Sequence, residues 1–304
     1  KHLLSVVAPQ MPRISVVERF VPAPTVLPSY VPRTIMALEH IRRMRGGAQS
    51  QLMKCSDGGT YVVKFQNNPQ GIRILANELL AAHLASWLRL PVPQTAVVEV
   101  GLELINASEN MVVELGRGRT PLHSGKCFGS RFVSDRTDAP LAALPAVWDF
   151  MPEEQLRKTA NLTDFAGMLM FDQWTCNTDG RQVVYVRMED SAGFRAFMID
   201  NGFCFNAGEW SFPDGPLRGM YSRAAVYDAI QGFDAFEPWL DRLERGSDVV
   251  TLALAASQIP TEWFQSDRDG LARMLTRLDR RRNRVRELLW AAWKASRDCF
   301  RNWR

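Results

Sequence analysis

Cysteine is scarce in this chain of 304 residues: Cys55, Cys127, Cys176, Cys204 and Cys299 make an odd number without CxxC spacing. That argues against a disulfide framework or a zinc knuckle and favours a reducing compartment. Histidine is scarcer still, and His40, His83 and His123 lack the spacing of metal ligands. Long apolar runs are also missing. The smoothest, residues 249–256, falls far short of the roughly 20 residues a membrane helix needs. The opening stretch 1–9 is too short for a signal peptide, and Ser5 interrupts it. The expected setting is soluble and cytoplasmic. What the chain does have is apolar material, 46% of residues with 23% charged, enough for a large core and inconsistent with disorder. The length suits one bilobal domain or two modest ones.

Charge is unevenly distributed. Residues 268–304 carry twelve Lys/Arg against four Asp/Glu, a net +8, whereas the rest of the chain holds 25 basic and 29 acidic residues. A basic tail on a mildly acidic body can bind an anionic partner such as nucleic acid. Here the favoured reading is a solvated helix face, because Leu271, Met274, Leu275, Leu278, Val285, Leu288, Leu289 and Trp293 recur on one stripe. That spacing predicts a basic C-terminal helix docked on the body.

Six prolines within residues 1–32 mark an extended arm, with Met11 as the first methionine. Strands are expected over 34–41, 51–55 and 60–65, the last two joined by the turn Ser56-Asp57-Gly58-Gly59. A helix with Ile72, Leu75, Leu79 and Ala82 on one face follows, then strands over 97–104, 111–115 and 126–133. The texture becomes helical after about residue 139. A buried helix marked by Leu162, Phe165, Ala166 and Leu169 leads into Asp172-Gln173-Trp174. A polar loop, a hairpin turning near 190–193, and Asp200-Asn201-Gly202 come next. No internal repeat is present.

The order of these parts carries the chemistry. A glycine-rich turn (Gly46, Gly47) between two strands precedes a lysine on the next strand, Lys64, and a helix glutamate, Glu78. The later loop carries Asn177 and Asp179, and a hairpin ends in the Asp200-x-Gly202 turn. Taken singly, these are an ordinary turn, an edge lysine and a helix-surface acid. Together they follow the order of a protein-kinase-like phosphotransferase, in which positioning and electrostatics do nearly all the work. Backbone N–H groups at Gly46 and Gly47 can approach phosphate oxygens without a Cβ in the way. Lys64 supplies a point charge to the phosphates, and Glu78 fixes its rotamer. Asp179 accepts or orients the acceptor's proton, and Asp200 offers carboxylate oxygen to Mg²⁺.

These residues resemble the HipA-like kinases over roughly 34–286. Gly47-Ala48-Gln49-Ser50 is similar to the family's Gly-x-Gln phosphate stretch, which implies nucleotide roles for Gln49 and Ser50. Tyr61-Val62-Val63-Lys64-Phe65 resembles its lysine strand, Asn77-Glu78-Leu79-Leu80 its helix glutamate, Phe171-Asp172 through Asn177-Thr178-Asp179 its catalytic loop and Ile199-Asp200-Asn201-Gly202 its metal turn. The pattern departs at Arg181, which replaces the family histidine, and at Val184, which occupies the position of a metal-holding asparagine. Gln182 is the substitute ligand this suggests, and Arg181 is expected to contact a phosphate. The resemblance implies an α/β, bilobal protein-kinase-like fold: an arm over 1–33, a small antiparallel-sheet lobe with one helix over 34–138, and a mainly helical lobe over 139–304. It further implies ATP, Mg²⁺ and a hydroxyl acceptor, with protein Ser/Thr favoured over a lipid or small molecule. A nucleotide-binding pseudokinase scaffold is the rival reading, and nucleic acid is the less favoured partner of the basic tail.

Overall fold

The computed structural model describes residues 33–116, 118–133, 147–188, 193–246 and 249–304. The proline-rich arm expected over 1–33 (Arg33 apart), the lobe boundary at 138–139 and most of the 190–193 turn lie outside them. The amino-terminal lobe is built on five strands: β1 (Thr34–Arg43), β2 (Gln51–Cys55), β3 (Thr60–Lys64), β4 (Thr95–Val100) and β7 (Gly125–Arg131). They close into a barrel of order β1-β2-β3-β7-β4. The sheet is antiparallel, as expected, except at its seam, where β1 runs parallel to β4 with Ile35 opposite Val98. Alternate residues turn inward, so Met53, Val63, Val98 and Cys127 fill the interior. A separate hairpin of β5 (Val112–Leu115) and β6 (Gly118–Pro121) lies beside the barrel strands in sequence.

The strand expected over 97–104 stops at Val100, and a short helix α2 (Leu102–Asn106) begins at Gly101, which is extended at φ −73°, ψ 153°. The helix expected after Lys64 is α1 (Arg73–Trp87). It is buried nearly all round, from Ile74 to Ala85, as befits an apolar helix with a partner on every side. It packs on β4 and β7 and on the helical lobe, whose core its leucines join.

One consequence falls on His83, within α1. Burial lowers its pKa from 6.5 to about 4, so the native state holds the imidazole neutral while the unfolded chain protonates near 6.5. The stabilisation is complete above pH 6.5 and is lost as pH falls from 6.5 toward 4, on the order of 3 kcal/mol in all. Urea melts at pH 7 and 4.5 should show it, and His83→Leu should flatten the difference.

The second lobe is mainly helical around a small sheet of β8 (Val147–Trp148), β9 (Gln182–Arg187) and β10 (Phe194–Ile199), in the order β10-β9-β8. After the short α3 (Glu153–Leu156) comes the central helix α4 (Asp164–Thr175), buried from Phe165 onward. It ends at Cys176, which turns left-handed at φ 54°. Helices α5 (Glu237–Gly246) and α6 (Val249–Ala256) follow further along the chain. The single basic helix expected at the C terminus is two helices, α7 (Arg268–Arg282) and α8 (Val285–Ala295). The chain leaves helical geometry at Arg284 (φ −107°, ψ 0°), where Arg281 and Arg284 both reach back to Asp214. The apolar stripe itself docks as expected, through Met274, Leu275, Leu278, Val285, Leu288 and Leu289.

Candidate active site

Lys64 ends β3 in the barrel wall, and its Nζ bridges two carboxylates: Glu78 Oε1 of α1 at 2.5 Å and Asp200 Oδ1 at 2.7 Å. Burial alone would lower the Lys64 pKa, but Glu78 and Asp200 more than reverse it and hold the amine charged. Burial pushes the Glu78 carboxyl up, against the pull of Lys64. At Asp200 burial also acts upward, but Lys64 outweighs it and the carboxyl lies below its usual range. Asp200 follows β10 directly and is left-handed at φ 56°. Glu78 Oε2 accepts from the Asn201 backbone N–H at 3.0 Å, so α1 holds the turn as well as the lysine.

The approach is close enough to dictate Gly202. A Cβ there would lie 2.5 Å from Ile74 Cγ2, nearer than packed carbon atoms tolerate. The neighbouring Asn77, named beside Glu78 in the sequence but given no role of its own there, ties down the segment beyond. Its Nδ2 donates to the carbonyls of Gly202 (2.8 Å), Cys204 (3.1 Å) and Ala207 (2.8 Å), and its Oδ1 accepts from Trp210 Nε1 at 2.8 Å. Arg73 lies over the Trp210 ring at 4.4 Å and donates to Gly208 O. Asn77→Ala should cost on the order of 3 kcal/mol, since it orphans buried acceptors and a donor together; a denaturant melt measures it.

The catalytic-loop candidates sit at the same end of the β9–β10 hairpin as Asp200, because Gln182 pairs with Ile199. Asp172, at the buried end of α4, organises them. It takes the guanidinium of Arg181 on both oxygens and Asn177 Nδ2 at 3.0 Å. Burial raises the Asp172 carboxyl against the pull of Arg181. Arg181 also donates to Ile199 O at 3.0 Å and Asn201 Oδ1 at 2.9 Å, on either side of Asp200. The expectation that Arg181 contacts a phosphate therefore fails on geometry. Its side chain is 1% exposed and its donors are committed inside the protein. It is a strut between the loop and the Asp200 turn.

Asn177 is likewise buried, and its Oδ1 accepts from the Asp179 backbone N–H at 3.2 Å. Asp179 itself is exposed, with Oδ1 accepting from Gly180 N (2.8 Å) and Oδ2 from Gln182 Nε2 (3.1 Å). Gln182 is exposed beside it, whereas Val184 is buried opposite Phe197. In the β1–β2 turn, Gly46 is left-handed at φ 118° with open space around it, and Gly47 is exposed. Ser50 is buried. Gln49 is engaged at both ends of its amide by the Glu114 backbone, Nε2 donating at 2.7 Å and Oε1 accepting at 2.8 Å. Its side chain thus fastens β5 to the turn. No three His, Cys, Asp or Glu side chains cluster as a metal cage among the described residues.

No curated protein shows a significant sequence match to the chain. Residues 38–185 match the family model described as HipA-like kinase. That stretch is similar to the HipA-like kinases. The match takes in Lys64, Glu78, Asp172, Asn177 and Asp179 and ends before Asp200. Among solved structures, the Helicobacter pylori proinflammatory kinase CtkA shares the bilobal fold, with a TM-score of 0.51 at 13% identity over 86% of this chain and 98% of that one. Hydra Fam20 solved with sugar (86% of each chain) and the Golgi casein kinase with Mn/ADP bound (88% of this chain, 75% of that one) superpose more loosely. Each has a TM-score of 0.47 at 12% identity.

Within residues 38–185, the signal for Asp172 was an acid and an amide wedged between Phe171 and Trp174 in an apolar run. Such groups must find buried partners. Asn77 gave a similar signal inside α1.

Proposed function

We propose that the protein transfers the γ-phosphoryl group of ATP to a hydroxyl at this site, with a protein Ser/Thr acceptor favoured over a lipid or small molecule. The observation that carries this reading is the Lys64 amine shared by Glu78 and Asp200. One ammonium against two carboxylates leaves a site that welcomes a further cation, and a hard divalent ion bound through one carboxylate and phosphate oxygens fits it. Mg²⁺, when bound, neutralises charge on the phosphates. Asp200 would hold it, with Gln182 the amide proposed to assist. Lys64 would steady the phosphates, with Glu78 fixing its rotamer, and the backbone at Gly46 and Gly47 would cover them. Asp179 would take the acceptor's proton as the acceptor oxygen bonds the γ-phosphorus and the bond to the ADP oxygen breaks. Asn177 and Arg181 would position that loop from beneath.

The test is ADP formation and label transfer by the full chain with and without Mg²⁺, against Asp179→Ala. Turnover that needs Mg²⁺ and falls by about 10²–10⁴ in the variant supports the reading. A scaffold that binds nucleotide without turning it over is favoured by one feature, the buried Val184 where a ligand asparagine is expected; binding without turnover in the wild type would establish it. Nucleic-acid binding through 268–304 loses ground, because Arg281, Arg282, Arg284 and Arg286 are already paired with carboxylates. No helix among the described residues is long and apolar enough to cross a membrane.

A further inference from the structure

Beside Asp179 lies a pocket of about 370 Å³, formed by the catalytic loop on one side and the segment 215–218 on the other. Its far wall is fixed from below. The buried Gln173 Nε2 donates to the carbonyls of Pro216 (3.2 Å) and Arg218 (2.9 Å), and the Gly219 N–H donates to Asp179 O at 3.1 Å. Arg281, also buried, holds Phe212 O (3.2 Å) and Asp214 (2.7 Å) just upstream. The wall is therefore preformed at a set distance from Asp179. It offers an apolar ledge, Pro216 and the 57%-exposed Leu217, followed by the cation of Arg218.

Arg218 differs from its neighbours. Arg181, Arg281 and Arg284 each pair with a carboxylate. Among the described residues, Arg218 pairs with none. Its Nη1 donates to Cys176 Sγ at 3.0 Å, and burial pushes that thiol's pKa up, so the sulfur is neutral and leaves the arginine's charge uncompensated. The pocket is an open trough, with Asp179, Gly180, Pro216 and Leu217 all exposed, which suits an extended chain lying across it better than an engulfed small molecule.

Resting on the kinase reading above, we propose that the acceptor is a polypeptide whose Ser or Thr is flanked by an acidic side chain, with Arg218 the residue that selects it. An acidic group near the hydroxyl gains a charge-assisted hydrogen bond from Arg218, while a basic one meets repulsion.

The experiment presents a Ser-centred peptide library with acidic, neutral and basic flanks to the full chain and reads kcat/KM for each class. The wild type should favour acidic over neutral flanks by about tenfold. Arg218→Glu should reverse the order of acidic and basic peptides, and Arg218→Lys should keep it. The ratio is taken within each variant, so a general loss of activity does not mimic the result, and the wild-type arm needs no variant to fold. A wild type that phosphorylates no hydroxyl acceptor overturns the kinase reading and this inference with it. Transfer indifferent to flanking charge, or Arg218→Glu retaining the acidic preference, overturns this inference alone.

Discussion

Lys64→Met is expected to lower phosphoryl transfer by about 10²–10³ and to destabilise the fold by about 3–5 kcal/mol. The two losses share one cause. The ammonium is the only group bonded to both Glu78 Oε1 and Asp200 Oδ1 among the described residues, and methionine keeps its volume but not its charge. The two carboxylates then face each other in a buried site, and one of them must take a proton. Because Glu78 already lies above the ordinary carboxylate range, it is the group that protonates. The stability deficit should therefore shrink as pH falls through the acid range, where the proton comes at less cost. Denaturant melts at pH 7 and pH 5, together with ADP formation, measure both effects. An undiminished transfer rate would remove Lys64 from the proposed mechanism.

The second large effect is expected at a residue that need touch no substrate. Arg181→Met should cost about 3–5 kcal/mol, because it leaves the fully buried Asp172 carboxylate with Asn177 as its remaining side-chain partner. Adding Asp172→Asn should recover part of that loss, since the uncompensated charge goes with it. Catalysis should not recover in parallel, because Arg181 also bonds Ile199 O and Asn201 Oδ1 on either side of Asp200, and those contacts stay broken in the double variant. Stability and kcat measured across the four proteins of the cycle separate the two roles. If stability and turnover recovered together, Arg181 would matter only for holding the fold.

How much of this could be read in the chain depends on how far each partner lies from its residue. Lys64 and Glu78 were legible as a pair only through the order of the parts, a lysine strand after a glycine-rich turn and a glutamate one helix later, since each taken singly reads as ordinary. The barrel was legible as a sheet but not as a closed one, since the parallel register of Ile35 against Val98 leaves no local trace. The break between α7 and α8 was hidden by an apolar stripe that keeps its phase across Asn283 and Arg284. Arg181 was assigned to phosphate because its charge was visible, while the buried acid that claims it sits in the preceding helix. Asn77, an amide in an apolar helix, signalled the need for a buried partner but not which one. Its partners are backbone carbonyls more than a hundred residues onward, and a carbonyl has no sequence signature.

The central claim is that Lys64 and Asp200 form one phosphate- and metal-binding cavity. It is tested most directly by calorimetric titration of the full chain with a non-hydrolysable ATP analogue, with and without Mg²⁺, in the wild type and in Asp200→Asn. The wild type should bind the analogue saturably and more tightly when Mg²⁺ is present, and the variant should show no gain from the metal. An equal Mg²⁺ gain in both proteins, or a wild type that does not bind the analogue at all, would contradict it.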